Sequence, residues 1–186
     1  MNEKKAASIC RSCGEPLGEI FVDLGMSPPC ESFLSVDQIH AMEPFYPLVV
    51  YVCTKCFLVQ LEEVVAPDEI FRDYAYFSAY STSWVEHARR YTEAMTQRLG
   101  LNRNSLVVEV ASNDGYLLQH FVKQGIPCLG VDPAENVAVE ARERGVETLT
   151  EFFGSRFAAE LAASRGKADL IVGNNVLAQV HELNDF

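Results

Sequence analysis

The sequence predicts an α/β protein in which a small N-terminal zinc-binding domain precedes a partial Rossmann-like domain. Three observations carry that expectation. Two Cys-x-x-Cys pairs, Cys10/Cys13 and Cys53/Cys56, fall in the first third of the chain. Residues 106–115, Leu-Val-Val-Glu-Val-Ala-Ser-Asn-Asp-Gly, read as a buried strand entering a small polar turn, and about twenty residues on a second strand ends on Asp132. From there strand and helix patterns alternate to the end, the signature of a mostly parallel sheet.

Composition narrows the field before any element is placed. The chain has 186 residues, 48% hydrophobic and 22% charged, with a net charge of −11. That is ordinary for a globular protein with a sizeable core. No Lys or Arg cluster exceeds a pair, which argues against a nucleic-acid partner. Lys4-Lys5 is followed by no apolar stretch of signal-peptide type, and runs such as Leu48–Cys53 are too short to span a bilayer. Six cysteines without an export signal imply reduced thiols or metal ligands, hence a cytoplasmic setting without a membrane partner. Oligomeric state is not legible. The expected organisation is a zinc-binding domain at 1–66, a linker loop and helix at 67–104, and a nucleotide-binding domain at 105–186.

In the first block, each Cys-x-x-Cys can set two thiolates on one side of a tight turn, and Gly14 permits the turn that a knuckle needs. Four sulfurs make a closed tetrahedral Zn²⁺ site of structural type, with Cys10, Cys13, Cys53 and Cys56 as ligands. A redox motif or two unrelated pairs are the alternatives, but a thioredoxin-like motif would occur once, between a strand and a helix. Strand-like pieces at Glu19–Leu24 and Leu48–Val52 and proline-rich turns fill the gap. Cys30 and Cys128 read as buried small hydrophobes. So small a block needs metal binding for much of its folding free energy.

From Val64 the chain leads into Tyr74-Ala-Tyr76-Phe-Ser78-Ala-Tyr80-Ser-Thr-Ser83, a polar-aromatic loop. For Tyr76 and Tyr80, lining a substrate pocket and burial with one hydrogen bond are both open. Ser81, Thr82 or Ser83 caps a helix running to Leu99, and Gly100 ends it. Trp84, Val85, Ala88, Tyr91, Ala94, Met95 and Leu99 recur at helical steps and are expected to form its packed face, with His87 turned to solvent or a helix neighbour.

In the last block the pattern gives a strand to Val110, a helix Gly115–Lys123, a strand Cys128–Val131 and a helix Ala134–Arg144. A short strand at Val146–Leu149, a helix Arg156–Ala163 and a strand Ala168–Gly173 follow. Ligands sit beyond the carboxyl ends of such strands. The candidates there are Glu109, Ala111, Ser112, Asn113 and Gly115, then Asp132 and Pro133, then Phe152 and Phe153, then Asn174 and Asn175. The small residues of the first turn let a ligand approach the backbone, and the following helix start is expected to offer free N–H groups. Asp132 is placed to take both ribose hydroxyls, with a helix N-cap followed by Pro133 at N1 as the plainer role. Asn174 and Asn175 either close a turn or meet an amino-acid carboxylate or amine.

Glu109-x-Ala111-x-Asn113-x-Gly115 with Asp132 resembles motifs I and II of class I S-adenosylmethionine methyltransferases, with two glycines replaced. A fuller set of segments is similar to the sugar C-methyltransferases that act on nucleotide-linked keto-deoxyhexoses. These are the paired Cys-x-x-Cys hooks, Phe71–Ser78, Val108–Leu117, Gly130–Ala138, Thr150–Phe153 and Gly173–Ala178. The resemblance covers essentially the whole chain. It implies S-adenosylmethionine and structural Zn²⁺ as cofactors, a nucleotide-sugar substrate, and Tyr76 as a residue set against the sugar in a catalytic role. It also implies the chemistry: a base removes the C3 proton beside a C4 ketone, and the enolate takes the sulfonium methyl. Members of that family carry the base in a Tyr/Glu/His cluster of a second α/β domain. The present chain stops at Phe186, expected on a helix after the fourth strand, so a fragment with little turnover is expected. Gln179 stands where the family tends to have His, with His181 two residues on. The alternatives are a non-catalytic zinc- and cofactor-binding module, or a methyltransferase for another small molecule. An RNA or protein methyltransferase fits the acidic charge poorly and lacks an Asn-Pro-Pro-Tyr-type motif.

Overall fold

The computed structural model describes residues 8–62 and 65–186, so the lysine-bearing start and Val64 lie outside the described residues. The chain divides into two compact units: one reaches Ile70 and takes in His181–Asn184, and the other holds Phe71–Val180 with Asp185–Phe186. The stretch expected as a separate linker is therefore split, and its helix belongs to the second unit.

The first unit is an antiparallel sheet in the order β1 (Glu19–Ser27), β2 (Tyr46–Val52), β3 (Val59–Leu61). The register of β1 on β2 slips twice, between Ile20 and Val22 and between Asp23 and Met26. Gly25, at φ +81°, occupies the second slip, and its N–H donates to Asp23 Oδ1 at 2.8 Å. Bulges of this kind bend an edge strand. Little is buried: among the described residues of this unit only Cys10, Cys53 and Gln60 lie inside. Ile20, Phe21, Leu24 and Met26 are exposed on β1, and so is Cys30. The expectation that Cys30 packs as a small hydrophobe fails because there is no core there to receive it. A single turn of helix, α1 (Pro67–Phe71), follows.

The second unit opens with α2 (Thr82–Leu99), capped by Ser81, whose Oγ accepts the Trp84 N–H at 3.3 Å, and ended by left-handed Gly100. Its packed face is narrower than the periodicity predicts. Val85, Ala88 and Tyr91 reach the core, while Trp84 and Leu99 are exposed at the margin. Thr92 is fully buried, its hydroxyl satisfied by the Arg89 carbonyl at 2.8 Å, a position that a purely apolar pattern passes over.

A four-stranded parallel sheet follows. Its elements are β4 (Val107–Val110), α3 (Leu118–Lys123), β5 (Cys128–Val131), α4 (Glu135–Glu143), β6 (Thr148–Leu149), α5 (Ser155–Arg165) and β7 (Leu170–Gly173). The strand order is β6-β5-β4-β7. Both faces are covered, which is why β4 and β5 lack polar alternation. Val107 lies in one cluster with Leu117, Phe121 and Val146, and Val108 in the other with Leu129, Val131 and Leu161. The chain adds β5 and β6 on one side of β4 and then crosses to place β7 on the other. That reversal is the topological switch point, where open α/β sheets bind ligands.

Two local expectations need correction. The helix after β4 starts at Leu118, not Gly115, because left-handed Ala111, Asn113 and Gly115 keep the chain turning until then. After β7 there is a 3-10 turn, Leu177–Gln179, and no helix carries the chain to Phe186. No helix of the described residues is long and apolar enough to cross a membrane.

Candidate functional site

The first site is built by two turns of the same design. In one, the Gly14 N–H donates to the Cys10 carbonyl at 2.9 Å, and in the other the Phe57 N–H donates to the Cys53 carbonyl at 2.9 Å. Both turns close on a left-handed residue, Gly14 at φ +74° and Phe57 at φ +63°. The four sulfurs lie within 4.8 Å of one another, with Cys10–Cys56 and Cys13–Cys53 each at 3.6 Å. Four sulfurs about 2.3 Å from a tetrahedral ion stand about 3.8 Å apart, and a disulfide would need about 2 Å. The donor set therefore fits Zn²⁺.

Gln60 completes this site and has no motif to announce it. Its Oε1 accepts the Arg11 N–H at 3.0 Å and its amide donates to Cys10 Sγ at 3.2 Å. Outer-shell donors of this kind hold a thiolate in place. Burial pushes the Cys10 thiol up, but the N–H groups of Cys13 and Ser12 and the Gln60 amide outweigh it and bring it down to about 6.

The second site lies at the switch point. Glu109, third residue of β4, is fully buried, and neither carboxylate oxygen completes a regular hydrogen bond among the described residues. Burial raises its pKa well above the ordinary value; Asn174 and Tyr116 stand close enough to pull it down, and the Asp132 and Asp114 charges raise it further. Asn174, just past β7, donates to the Tyr116 hydroxyl at 3.1 Å. Tyr116, missed by the sequence reading, is itself buried, with Trp84 stacked 5.9 Å away. An unpartnered carboxylate inside the fold is costly, and a cationic ligand group would relieve it.

Asp132 is almost wholly buried at the end of β5. One oxygen accepts the Asn113 N–H at 2.8 Å and the other the Ala134 N–H at 3.0 Å. It is not the N-cap of α4, a place taken by Ala134, so half-buried Pro133 precedes the cap instead of occupying N1. Asp132 clasps two loops, and each carboxylate oxygen keeps a further lone pair for a hydroxyl. Burial raises its pKa, while the N–H groups of Ala134 and Asn113 work against that.

The turn after β4 keeps a glycine-type backbone without the glycines. Ala111, Asn113 and Gly115 all have positive φ, at 55°, 49° and 74°. For alanine that conformation is strained by about 1–2 kcal/mol, and strain of this kind gathers at ligand sites. The N–H groups of the turn itself are absorbed within the fold. Those of Ala111 and Ser112 go to the Val131 carbonyl, that of Asn113 to Asp132, and that of Gly115 to the Ser112 carbonyl.

Several side chains expected to hold the cofactor have other work. Ser112 is buried against Gly130, where a β-carbon would collide with its hydroxyl. A β-carbon on Gly115 would press on Val146 and Ala141 at 3.0–3.3 Å, so that glycine serves packing. Phe153 packs edge-on with Phe157 and Phe186, and its half-buried ring lies against the second core cluster. Phe152 is exposed beneath the Arg72 guanidinium, 5.1 Å from its ring centre. Asn175, left-handed and exposed, closes the turn after β7, its carbonyl accepting the Gln179 amide at 3.0 Å. Both amide atoms of Asn113 are taken by the backbone of Tyr76 and Ser78.

A parallel sheet with a switch point, buried acids at two strand ends and a left-handed turn after the first strand define a nucleotide-binding domain of methyltransferase type. Comparison with known proteins gives the same class. Residues 10–71 match the family described as "Putative zinc binding domain", and residues 84–186 match that described as "Methyltransferase domain". The chain belongs to this methyltransferase family. C-methyltransferase NovU of Streptomyces niveus is 34% identical over 176 residues, which make up 95% of this chain and 42% of that protein. The chain thus spans less than half the length of the curated relative it matches. Membership of the family implies S-adenosylmethionine as cofactor, and the four-cysteine cluster implies zinc.

Proposed function

We propose that this chain is the zinc-binding and cofactor-binding part of an S-adenosylmethionine-dependent C-methyltransferase acting on a nucleotide-linked keto-deoxysugar. The observation that carries the reading is the buried, unpartnered Glu109 carboxylate beside Asn174 and Tyr116, one strand from Asp132. When bound, S-adenosylmethionine would supply an electrophilic methyl group. Glu109 and Asn174 would hold its amino-acid end, and the spare lone pairs of Asp132 would take ribose hydroxyls. The Zn²⁺ on Cys10, Cys13, Cys53 and Cys56 has no open position and acts as a fold element. Tyr76, whose side chain is exposed, would face the sugar. Transfer to carbon rests on the likeness to a C-methyltransferase, and the sugar class on the resemblance carried by segments such as Phe71–Ser78 and Gly173–Ala178. Titration calorimetry with S-adenosylhomocysteine tests the cofactor reading: one-to-one binding is expected, and no heat would overturn it. Methyl transfer assayed on keto-sugar nucleotides against other acceptors tests the substrate class, which falls if only unrelated acceptors are methylated.

A further inference from the structure

Residues 72–79 follow an ordered path over the strand ends. Arg72 lies on Phe152, just past β6. The Tyr74 backbone is held at both its groups by one side chain: its N–H donates to Asn136 Oδ1 at 3.1 Å, and its carbonyl accepts from Asn136 Nδ2 at 2.8 Å. Asn136 stands in the first turn of α4, just past β5. Next, the Tyr76 carbonyl accepts from Asn113 Nδ2 at 2.9 Å, and the Ser78 N–H donates to Asn113 Oδ1 at 2.9 Å. The Ala79 N–H then donates to Asp114 Oδ2 at 3.1 Å. Asn113 and Asp114 lie in the turn after β4. The segment therefore crosses the carboxyl ends in the order β6, β5, β4, which is the spatial order of those strands in the sheet.

Asparagine can do this because its side chain carries the same donor–acceptor pair as a peptide unit. Two such amides grip the segment by its backbone, as a neighbouring strand would; only its end is seated in the fold, with Ser78 buried and Ala79 packed against the first core cluster. Tyr76 and Tyr80 keep exposed side chains. The stretch from Arg72 to Tyr76, mostly exposed and held by a few polar bonds, belongs to the low-stability end of a fold, the part that opens locally.

The geometry points to residues 72–79 as a strap closing over the cofactor crevice, with Asn113 and Asn136 as positioning residues that latch it and so set how slowly the cofactor leaves. The inference rests on the cofactor reading above. Asn113 is on this account a latch for the strap, since both its amide atoms and its backbone N–H are committed within the chain.

Two single variants of the 186-residue chain test it. Asn113→Gly removes the amide without straining a left-handed backbone, and Asn136→Ala removes the other amide from a helix that tolerates alanine. Hydrogen exchange should quicken about tenfold or more at Ser78 in Asn113→Gly and at Tyr74 in Asn136→Ala, with β4 and β5 unchanged. Stopped-flow release of S-adenosylhomocysteine should be about tenfold faster in each variant. Unchanged exchange at those amides would overturn the latch. Faster exchange with unchanged release would overturn the strap while leaving the cofactor reading intact. No binding by the unaltered chain would overturn the cofactor reading and the strap's role together.

Discussion

Residues 8–62 carry three strands and bury Cys10, Cys53 and Gln60, two proposed metal ligands and the side chain that touches one of them. The unit that begins at Phe71 buries two clusters of aliphatic and aromatic side chains on the two faces of its sheet. One unit is organised by four sulfurs and the other by apolar area. Where a chain cannot remove enough apolar surface from water to offset the entropy of ordering, coordination bonds must supply the difference. Loops in the first unit thus depend on an ion, and loops in the second on the sheet beneath them.

Metal removal should show the contrast at its largest. Structural zinc supplies about 10–16 kcal/mol of folding free energy in small modules, so chelation or Cys53→Ser should abolish amide protection across β1 to β3 and leave β4 and β5 protected. Protected β1–β3 amides in metal-free protein would break the comparison. In the second unit the matching change is Phe121→Ala, at a fully buried position. It should cost about 3–5 kcal/mol by urea unfolding and leave zinc content unaltered.

Glu109 sharpens the contrast, because here the apolar unit encloses an ionisable group. Burial holds this carboxyl's pKa well above its ordinary value of 4.5. Its contribution to the stability of the ligand-free chain is therefore full below that value and is lost as pH rises through the raised one. Glu109→Gln should melt higher than the parent near neutral pH, with the gap closing below pH 4.5, where both side chains are uncharged. A gap independent of pH would contradict the account. The smallest effect belongs to Phe57, left-handed and exposed. Phe57→Gly should raise the melting temperature modestly, by the equivalent of about 1 kcal/mol or less.

What the sequence made legible divides along the same line. Cysteine spacing disclosed the metal site, since Cys-x-x-Cys followed by glycine fixes a turn through local chemistry alone; its mate in the second turn, Phe57, was hidden because phenylalanine does not advertise a left-handed backbone. The parallel sheet was legible from continuous apolar runs, and α2 from its Ser81 and Gly100 caps. The helix after β4 was placed three residues early, since Ala111 and Asn113 concealed left-handed turns that glycine would have marked. Gln60, Asn136 and Tyr116 escaped because their partners are 50, 62 and 58 residues away in sequence. Polar side chains that bridge such separations leave no periodic trace. Phe153 was expected at the ligand from its place after a strand, and the sequence did not disclose that its half-buried ring also packs against the second core cluster.

The central claim is that a cofactor lies over the strand ends, its ribose on Asp132. The most direct measurement is the affinity of the chain for S-adenosylhomocysteine with and without Asp132→Asn, a substitution that keeps one acceptor oxygen and removes the charge. The account predicts binding by the parent and a loss of about 10- to 100-fold in the variant; equal affinity in the two proteins would contradict it.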